Sequence, residues 1–439
     1  MRFTGTMKVN AAGNLEIGGC DTVKLAESFG TPLYVMDEEY LRSNCRSYYA
    51  AFNKHGADAI YAGKSLLTLA ICRIVDEEGL SLDVVSGGEL YTALQAGFPM
   101  DRVYFHGNNK SADEIRMALA AGVHRFVVDS FDEIDLLDTL AREAGATANV
   151  LLRLTPGIEA HTHDYIRTGQ IDSKFGFVIP NGQAREAVNS VLARENLALR
   201  GLHCHIGSQI FDLEPFWDAA QILLGTARQA RDEHGWVCEE IDLGGGLGIH
   251  YTEGDDPPSV TDLAGTVIRT VQDTATRFSL PTPKVLVEPG RSISGPAGTT
   301  LYTVGTVKTI PDVRIYVSVD GGMGDNPRPA LYGSVYECCL ANRPLEEADA
   351  KVSIAGRYCE SGDMLIWDAD LPLPRVGDVL AVSATGAYNY TMAMNYNRFP
   401  RPAMILVRDG EAELIVRRES YADLIRNDVI PARLRKPRD

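Results

Sequence analysis

No apolar run in this 439-residue chain is long enough to span a bilayer, and none of its eight cysteines falls in a C-x-x-C pair. The first absence excludes a transmembrane helix. The second argues against a structural zinc site or a disulfide framework, because Cys20, Cys45, Cys72, Cys204, Cys238, Cys338, Cys339 and Cys359 are scattered along the chain. The opening residues Met1–Thr6 lack the apolar core of a signal peptide, so the expected address is cytoplasmic. Positive charge is in deficit: 42 Lys and Arg stand against 59 Asp and Glu, a formal net charge of −17. That field repels nucleic acid. A locally basic tail, Arg433, Arg435, Lys436 and Arg438, reads as a solvated terminus. Internal repeats and low-complexity linkers are also missing.

What is present is a chain long enough for two domains, with two textures. Between about residues 55 and 290, short runs rich in Val, Ile and Leu alternate with longer amphipathic stretches such as 88–96 and 215–231. The short runs, 59–62, 82–85, 103–105, 125–128, 150–154, 199–203, 241–243 and 285–287, read as buried parallel strands. Eight strands alternating with helices suggest a (β/α)8 TIM-like barrel. An open doubly wound sheet has the same periodicity. After Pro289 the pattern becomes short β-like runs punctuated by Gly and Pro, at 301–307, 315–319, 351–354, 379–382, 403–407 and 413–416. The expected organisation is a barrel over 36–288 and an all-β barrel or sandwich domain over 289–439, with residues 1–35 contributing to the β domain.

The chemically distinctive residues follow the expected strands. Gly63-Lys64-Ser65 follows the first, Ser86-Gly87-Gly88-Glu89 the second, and His203-Cys204-His205-Ile206-Gly207-Ser208 closes the sixth. Gly244–Gly248 follows the seventh and Glu288-Pro289-Gly290-Arg291 the eighth. In a barrel these ends converge on one mouth, where active sites form. Lys64 reads either as a snorkelling surface residue or as a functional amine, since buried lysines lose their proton and form Schiff bases. Asp58 stands where a P-loop needs its first glycine. Ile249 breaks the dinucleotide fingerprint, so Gly244–Gly248 with Ser208 suits a single phosphate better. His203 with His205, and His161 with His163, could each share a metal by strand alternation. They lack acidic or sulfur partners at suitable spacing, and no metal is expected. The polar loops around 320–333, 359–363 and 386–388 hint at a site, although ordinary β connections also explain each singly.

Six segments occur in order: Tyr61–Lys64, Asp83–Glu89, His203–Gln209, Gly244–Gly246, Glu288–Arg291 and Cys359–Asp363. Together they resemble the alanine-racemase-type, or fold-type III, pyridoxal-phosphate decarboxylases, over about residues 30–424. Within that family the likeness is to the enzymes acting on diaminopimelate. One departure is Gly63, where many relatives carry another small or apolar residue. The resemblance implies pyridoxal 5'-phosphate as cofactor and decarboxylation of meso-2,6-diaminopimelate to L-lysine and carbon dioxide, the last step of lysine biosynthesis. It implies that Lys64 joins the cofactor aldehyde, His205 stacks on its ring, and Glu288 keeps the ring nitrogen protonated. Asp83 lies beside the cofactor, and Ser208, Gly245, Gly246, Arg291 and Tyr388 hold or flank its phosphate. Arg291, Arg328, Tyr332, Tyr388 and Glu360 would bind the substrate. Cys359 would return a proton to the reacting carbon. Cys359 and Glu360 would come from the second subunit of a homodimer with shared active sites. A sister decarboxylase for another basic, D-configured or carrier-bound amino acid is the alternative. Relatives acting on ornithine or arginine typically carry Cys-Asp-Gly where this chain has Cys359-Glu360-Ser361. Lys64 must be neutral to form the bond, and its neighbouring cofactor and low-dielectric setting are expected to favour that state.

Overall fold

The computed structural model describes residues 1–158 and 172–435; His161, His163, Lys436 and Arg438 lie outside them. Eight parallel strands close into a ring: Asp58–Ala62, Ser81–Val84, Val103–Phe105, Arg125–Val128, Ala148–Thr155, Leu197–His203, Glu240–Asp242 and Lys284–Val287. The last strand pairs with the first, Leu286 facing Asp58. That closure decides for a barrel against an open sheet.

The apolar runs make strands because they are buried on both faces. Ile60, Tyr104, Val127, Leu151 and Leu286, from five different strands, form a small cluster of their own. The residues alternating with them pack into a much larger core that includes the surrounding helices. At the N-terminal ends of the strands, Arg125 and Glu240 form a buried two-pronged ion pair, Nε to Oε2 at 2.9 Å and Nη2 to Oε1 at 2.7 Å. The helices start close behind the strands because capping residues stand there. Ser86 accepts from the Glu89 amide to start Gly87–Ala96, and Ser130 accepts from Glu133 to start Phe131–Glu143.

The β domain is built from both ends of the chain. Leu33–Asp37 pairs antiparallel with Gly298–Ile310 and parallel with Ala403–Arg408. The sheet continues through Arg314–Val319, Ala350–Ala355 and Met364–Leu371 on one side and Glu411–Val416 on the other. Cys338–Leu340 and Val379–Val382 join it through Gly298–Ile310. Met364–Leu371 has no clean alternation in sequence. Its pairing with Ala350–Ala355 shifts register twice, and Asp368 takes a positive φ of 54°. The Asp325 carboxylate ties the domain together, accepting from the Tyr302 hydroxyl at 2.6 Å and the Gly322 amide at 2.8 Å.

Candidate active site

The C-terminal ends of the barrel strands and two loops of the β domain surround a cavity of about 400 Å³. Lys64, His205, Ser208, Glu288, Arg291, Arg328, Tyr332 and Tyr388 all line it. A small recess next to it is lined by Gly245 and Gly246 together with Lys64, His205 and Arg291. Segments more than 300 residues apart in sequence thus share one space.

Lys64 sits in the single turn Gly63–Ser65 that follows the first barrel strand. The turn presses on the second strand: a Cβ on Gly63 would lie 2.6 Å from the Asp83 carbonyl oxygen. Glycine at 63 therefore fits a local close approach. The Lys64 Nζ lies 2.6 Å from Oδ2 of the fully buried Asp83. Burial alone would favour the neutral amine, but Asp83 and then Glu288 outweigh it and push the Lys64 pKa up. The Asp83 carboxylate thus favours the ammonium form of Lys64. Its side chain is one-third exposed, toward the cavity.

Glu288 directly follows the eighth strand. Its Oε1 lies 2.8 Å from Nε2 of His106 and 3.4 Å from Nε2 of His203. Burial opposes its charge, but His106 and His203 hold its pKa well below the usual carboxylate range. Burial, Lys64 and Arg153 keep His205 well below its ordinary pKa, as a neutral ring. His203 associates with His106 and Glu288, their ligating atoms all within 4.8 Å, rather than with His205. His205 lies beyond the end of the strand, where the alternation rule no longer holds.

The glycine triplet explains its own composition. A Cβ on Gly245 would meet the Glu288 carbonyl oxygen at 2.1 Å; on Gly246, whose φ is +126°, it would meet that of Gly207 at 2.5 Å. Opposite them, Arg291 donates from Nη2 and Nε to the Ser208 hydroxyl at 2.8 and 3.1 Å, and from Nη1 to the Tyr251 hydroxyl at 2.6 Å. Tyr388 lies under the Arg291 guanidinium, 4.9 Å from it, on a backbone with φ +59°. The Tyr388 amide donates to the Ser65 carbonyl at 2.8 Å, anchoring the tyrosine to the lysine turn.

Arg328 opens the short helix Arg328–Tyr332 and reaches the cavity from the β domain. Its guanidinium lies 5.1 Å from the Tyr332 ring and 5.6 Å from that of Tyr388. Arg291 and Arg328 are only 5% and 6% exposed. Among the described residues, no carboxylate forms an ion pair with either. Cys359 and Glu360 are exposed and do not line this cavity in their own chain; the Cys359 amide donates to Asn397 Oδ1 at 2.8 Å.

A family profile described as "Pyridoxal-dependent decarboxylase, pyridoxal binding domain" matches residues 38–295. The chain belongs to the pyridoxal-dependent decarboxylases. Within them it groups with the diaminopimelate decarboxylases. It is 54% identical to that of Bacillus subtilis over 431 residues, 98% of each chain. It is 52% identical to that of Bacillus methanolicus, over 95% of this chain and 98% of the other. A diaminopimelate decarboxylase from M. jannaschii, solved in co-complex with L-lysine, superposes with a TM-score of 0.92 at 39% identity, covering 98% and 99% of the two chains.

The residues present fit the cofactor of this decarboxylase family. The glycine backbone leaves a cradle that side chains would fill, and a buried arginine with a hydroxyl partner faces it. A lysine, a neutral imidazole and an ionised carboxylate share the cavity with that cradle. Sequence reading missed three neighbours. His106 directly follows the strand Val103–Phe105, and Arg153 interrupts an apolar strand near its C-terminal end. Both are strand-end signals of the kind that singled out Lys64. Tyr251 lies in a loop with no such signal.

Proposed function

We propose that this chain decarboxylates meso-2,6-diaminopimelate to L-lysine and carbon dioxide, with pyridoxal phosphate held at the barrel mouth. The observation that carries the substrate reading is Arg328, a buried guanidinium with no acidic partner among the described residues. A buried unpaired charge is costly, so such a site is built for an anion that arrives from outside. Arg291 with Ser208 and the glycine recess suits a phosphate, which leaves Arg328 and Tyr332 for the distal carboxylate of the substrate. Ornithine has no such carboxylate.

When bound, pyridoxal phosphate supplies a conjugated cationic ring that takes up the electron pair left by the departing carboxylate. Lys64 supplies the amine that attaches it, after giving up the proton now shared with Asp83. Glu288 supplies a fixed negative charge for the ring nitrogen. His205, kept uncharged, offers an aromatic face without repelling a cation. Cys359 Sγ and the Glu360 carboxylate of a second copy would complete the site, the first returning a proton and the second pairing with the distal ammonium. Their exposure away from their own cavity supports that arrangement. No helix among the described residues is long and apolar enough to cross a membrane. All eight cysteines are unpaired thiols, which supports a reducing, cytoplasmic setting.

The deciding experiment is carbon dioxide release from a panel of diaminopimelate, lysine, ornithine and arginine. The expected result is turnover of diaminopimelate alone at high efficiency, and none by Lys64→Ala, which also retains no covalently attached cofactor. Preferred turnover of ornithine would overturn the substrate reading; an active Lys64→Ala would overturn the site.

A further inference from the structure

Glu288 does not stand alone beneath the ring nitrogen it is read as holding. Oε1 of this carboxylate lies among buried groups at the C-terminal ends of three other strands: His106 at 2.8 Å, His203 at 3.4 Å, and the carboxyl of Asp242 nearby. His106 is 3% exposed, and His203 and Asp242 are fully buried. The two imidazoles meet edge to face, with centroids 5.0 Å apart and an interplanar angle of 71°. Each ring therefore limits the freedom of the other. The Glu288 amide is also fixed, donating to the Gly244 carbonyl at 2.8 Å.

We propose that His106 and His203 are positioning residues for Glu288, aiming its carboxylate so that it selects a protonated ring nitrogen. This rests on the reading of Glu288 given above. The charges around the site agree. Burial raises the Asp242 carboxyl, and Glu288 raises it further, so Asp242 is the neutral member of the acid pair. Burial lowers His203 to about 4 despite Glu288, so it is a neutral ring at physiological pH. Lys64 and Arg153 add positive charge from the same mouth and Asp83 negative charge. Glu288 Oε1 thus sits against two buried imidazole nitrogens, at 2.8 and 3.4 Å, that fix where it points. A carboxylate free to rotate, or able to take the Asp242 proton, would lose the distinction between a nitrogen and a carbon at the ring position it faces.

The test compares two cofactors on the cofactor-free full chain: pyridoxal phosphate, and its analogue with C–H in place of the ring nitrogen. Dissociation constants are read by absorbance. The wild type should prefer the nitrogen-bearing form by at least about tenfold, the worth of one charge-assisted hydrogen bond, and Glu288→Gln should lose that preference. His106→Gln, whose amide reaches where Nε2 stood, should keep the preference within about threefold. His106→Asn, too short to reach Oε1, should lose most of it while still binding the analogue as the wild type does. Should His106→Asn fold poorly, His203→Asn gives the second comparison, with a smaller loss expected from its longer distance. Equal weakening of both cofactors in His106→Asn would mean a merely structural histidine and would overturn the proposal. So would an undiminished preference. A wild type or Glu288→Gln that breaks the expected pattern would instead remove the Glu288 reading beneath it.

Discussion

Replacing Arg328 by methionine separates a binding arginine from a structural one, because the two readings predict opposite signs for stability. The side chain is 6% exposed, and among the described residues its Nε has no hydrogen-bond partner and its Nη2 has only a long one, to Ser334 Oγ at 3.4 Å. Two aromatic rings flank it. Methionine has a similar length and keeps the apolar packing. In the free protein the change removes a poorly compensated buried charge, so the melting temperature of the cofactor-loaded enzyme should stay or rise. In the complex it leaves the distal carboxylate of diaminopimelate buried without a counter-ion. Breaking a buried pair in that way costs about 3–5 kcal/mol, on the order of 10²–10⁴-fold in kcat/KM. Most of the loss should fall on KM, since the distal end is remote from the reacting carbon and binds alike in ground and transition states. Arg328→Lys should lie between, keeping charge but losing the two-pronged fit. The assays are steady-state decarboxylation and thermal unfolding of both variants. A methionine variant that melts several degrees lower with kcat/KM within about fivefold of wild type would refute the reasoning, for Arg328 would then be holding the fold.

Three further outcomes are expected. Gly245→Ala puts a Cβ 2.1 Å from the Glu288 carbonyl oxygen, more than 1 Å inside ordinary contact. The phosphate cradle and the Glu288 strand must then part, and affinity for pyridoxal phosphate should fall by about tenfold or more. Gly254→Ala, with open space around it, should leave that affinity unchanged in the same titration. Burial and Asp83 push the Glu89 carboxyl up to about 7. Its neutral form is favoured by folding, so that stabilisation is complete below about pH 4.5 and is lost as pH rises through 7. Glu89→Gln cannot ionise and keeps an oxygen for the Val85 amide. Its melting temperature relative to wild type should therefore climb between pH 5 and pH 8, and parallel curves would contradict the assignment. Mixing inactive Lys64→Ala with inactive Cys359→Ala and allowing subunits to exchange should restore about a quarter of wild-type activity, because one site in each mixed dimer is intact. No recovery, with exchange verified by mass, would place Cys359 in its own chain's chemistry or outside it.

The barrel was legible in sequence because its strands are buried on both faces. Val103–Phe105 and Arg125–Val128 are apolar runs with little else they could be, and their bounds match the structure. The β domain was less legible where a strand has one wet face. Met364–Leu371 carries Trp367 and Asp368 outward and changes register in the middle, so no period-2 pattern survives. At the site, strand-end residues that belong to a longer motif were found, while His106 and Arg153, single polar residues at strand ends, were not. His106 has no motif. Its significance lies in a 2.8 Å distance to Glu288, 182 positions later. The Asp83 contact of Lys64 was hidden for the same reason. Burial was foreseen, but not that the neighbour at 2.6 Å would be a fully buried carboxylate.

A chain of net charge −17 that binds a phosphate cofactor raises a question of how far charge acts. The surface field is screened within about 8 Å at physiological ionic strength, while the cavity collects Lys64, Arg153, Arg291 and Arg328 against Asp83 and Glu288. The mouth of the barrel is thus cationic inside an acidic protein. Diaminopimelate carries two carboxylates and two ammonium groups and is neutral as a whole, so the outer field neither draws nor repels it strongly. Discrimination then falls to groups in contact. On the proposed arrangement, a fixed guanidinium at one end and a carboxylate from a second copy would recognise a separation of charges, which no net field can read. Added salt should accordingly change kcat/KM for diaminopimelate only slightly, while it speeds capture of the anionic cofactor less than the net charge alone would suggest, the local cations offsetting the acidic surface.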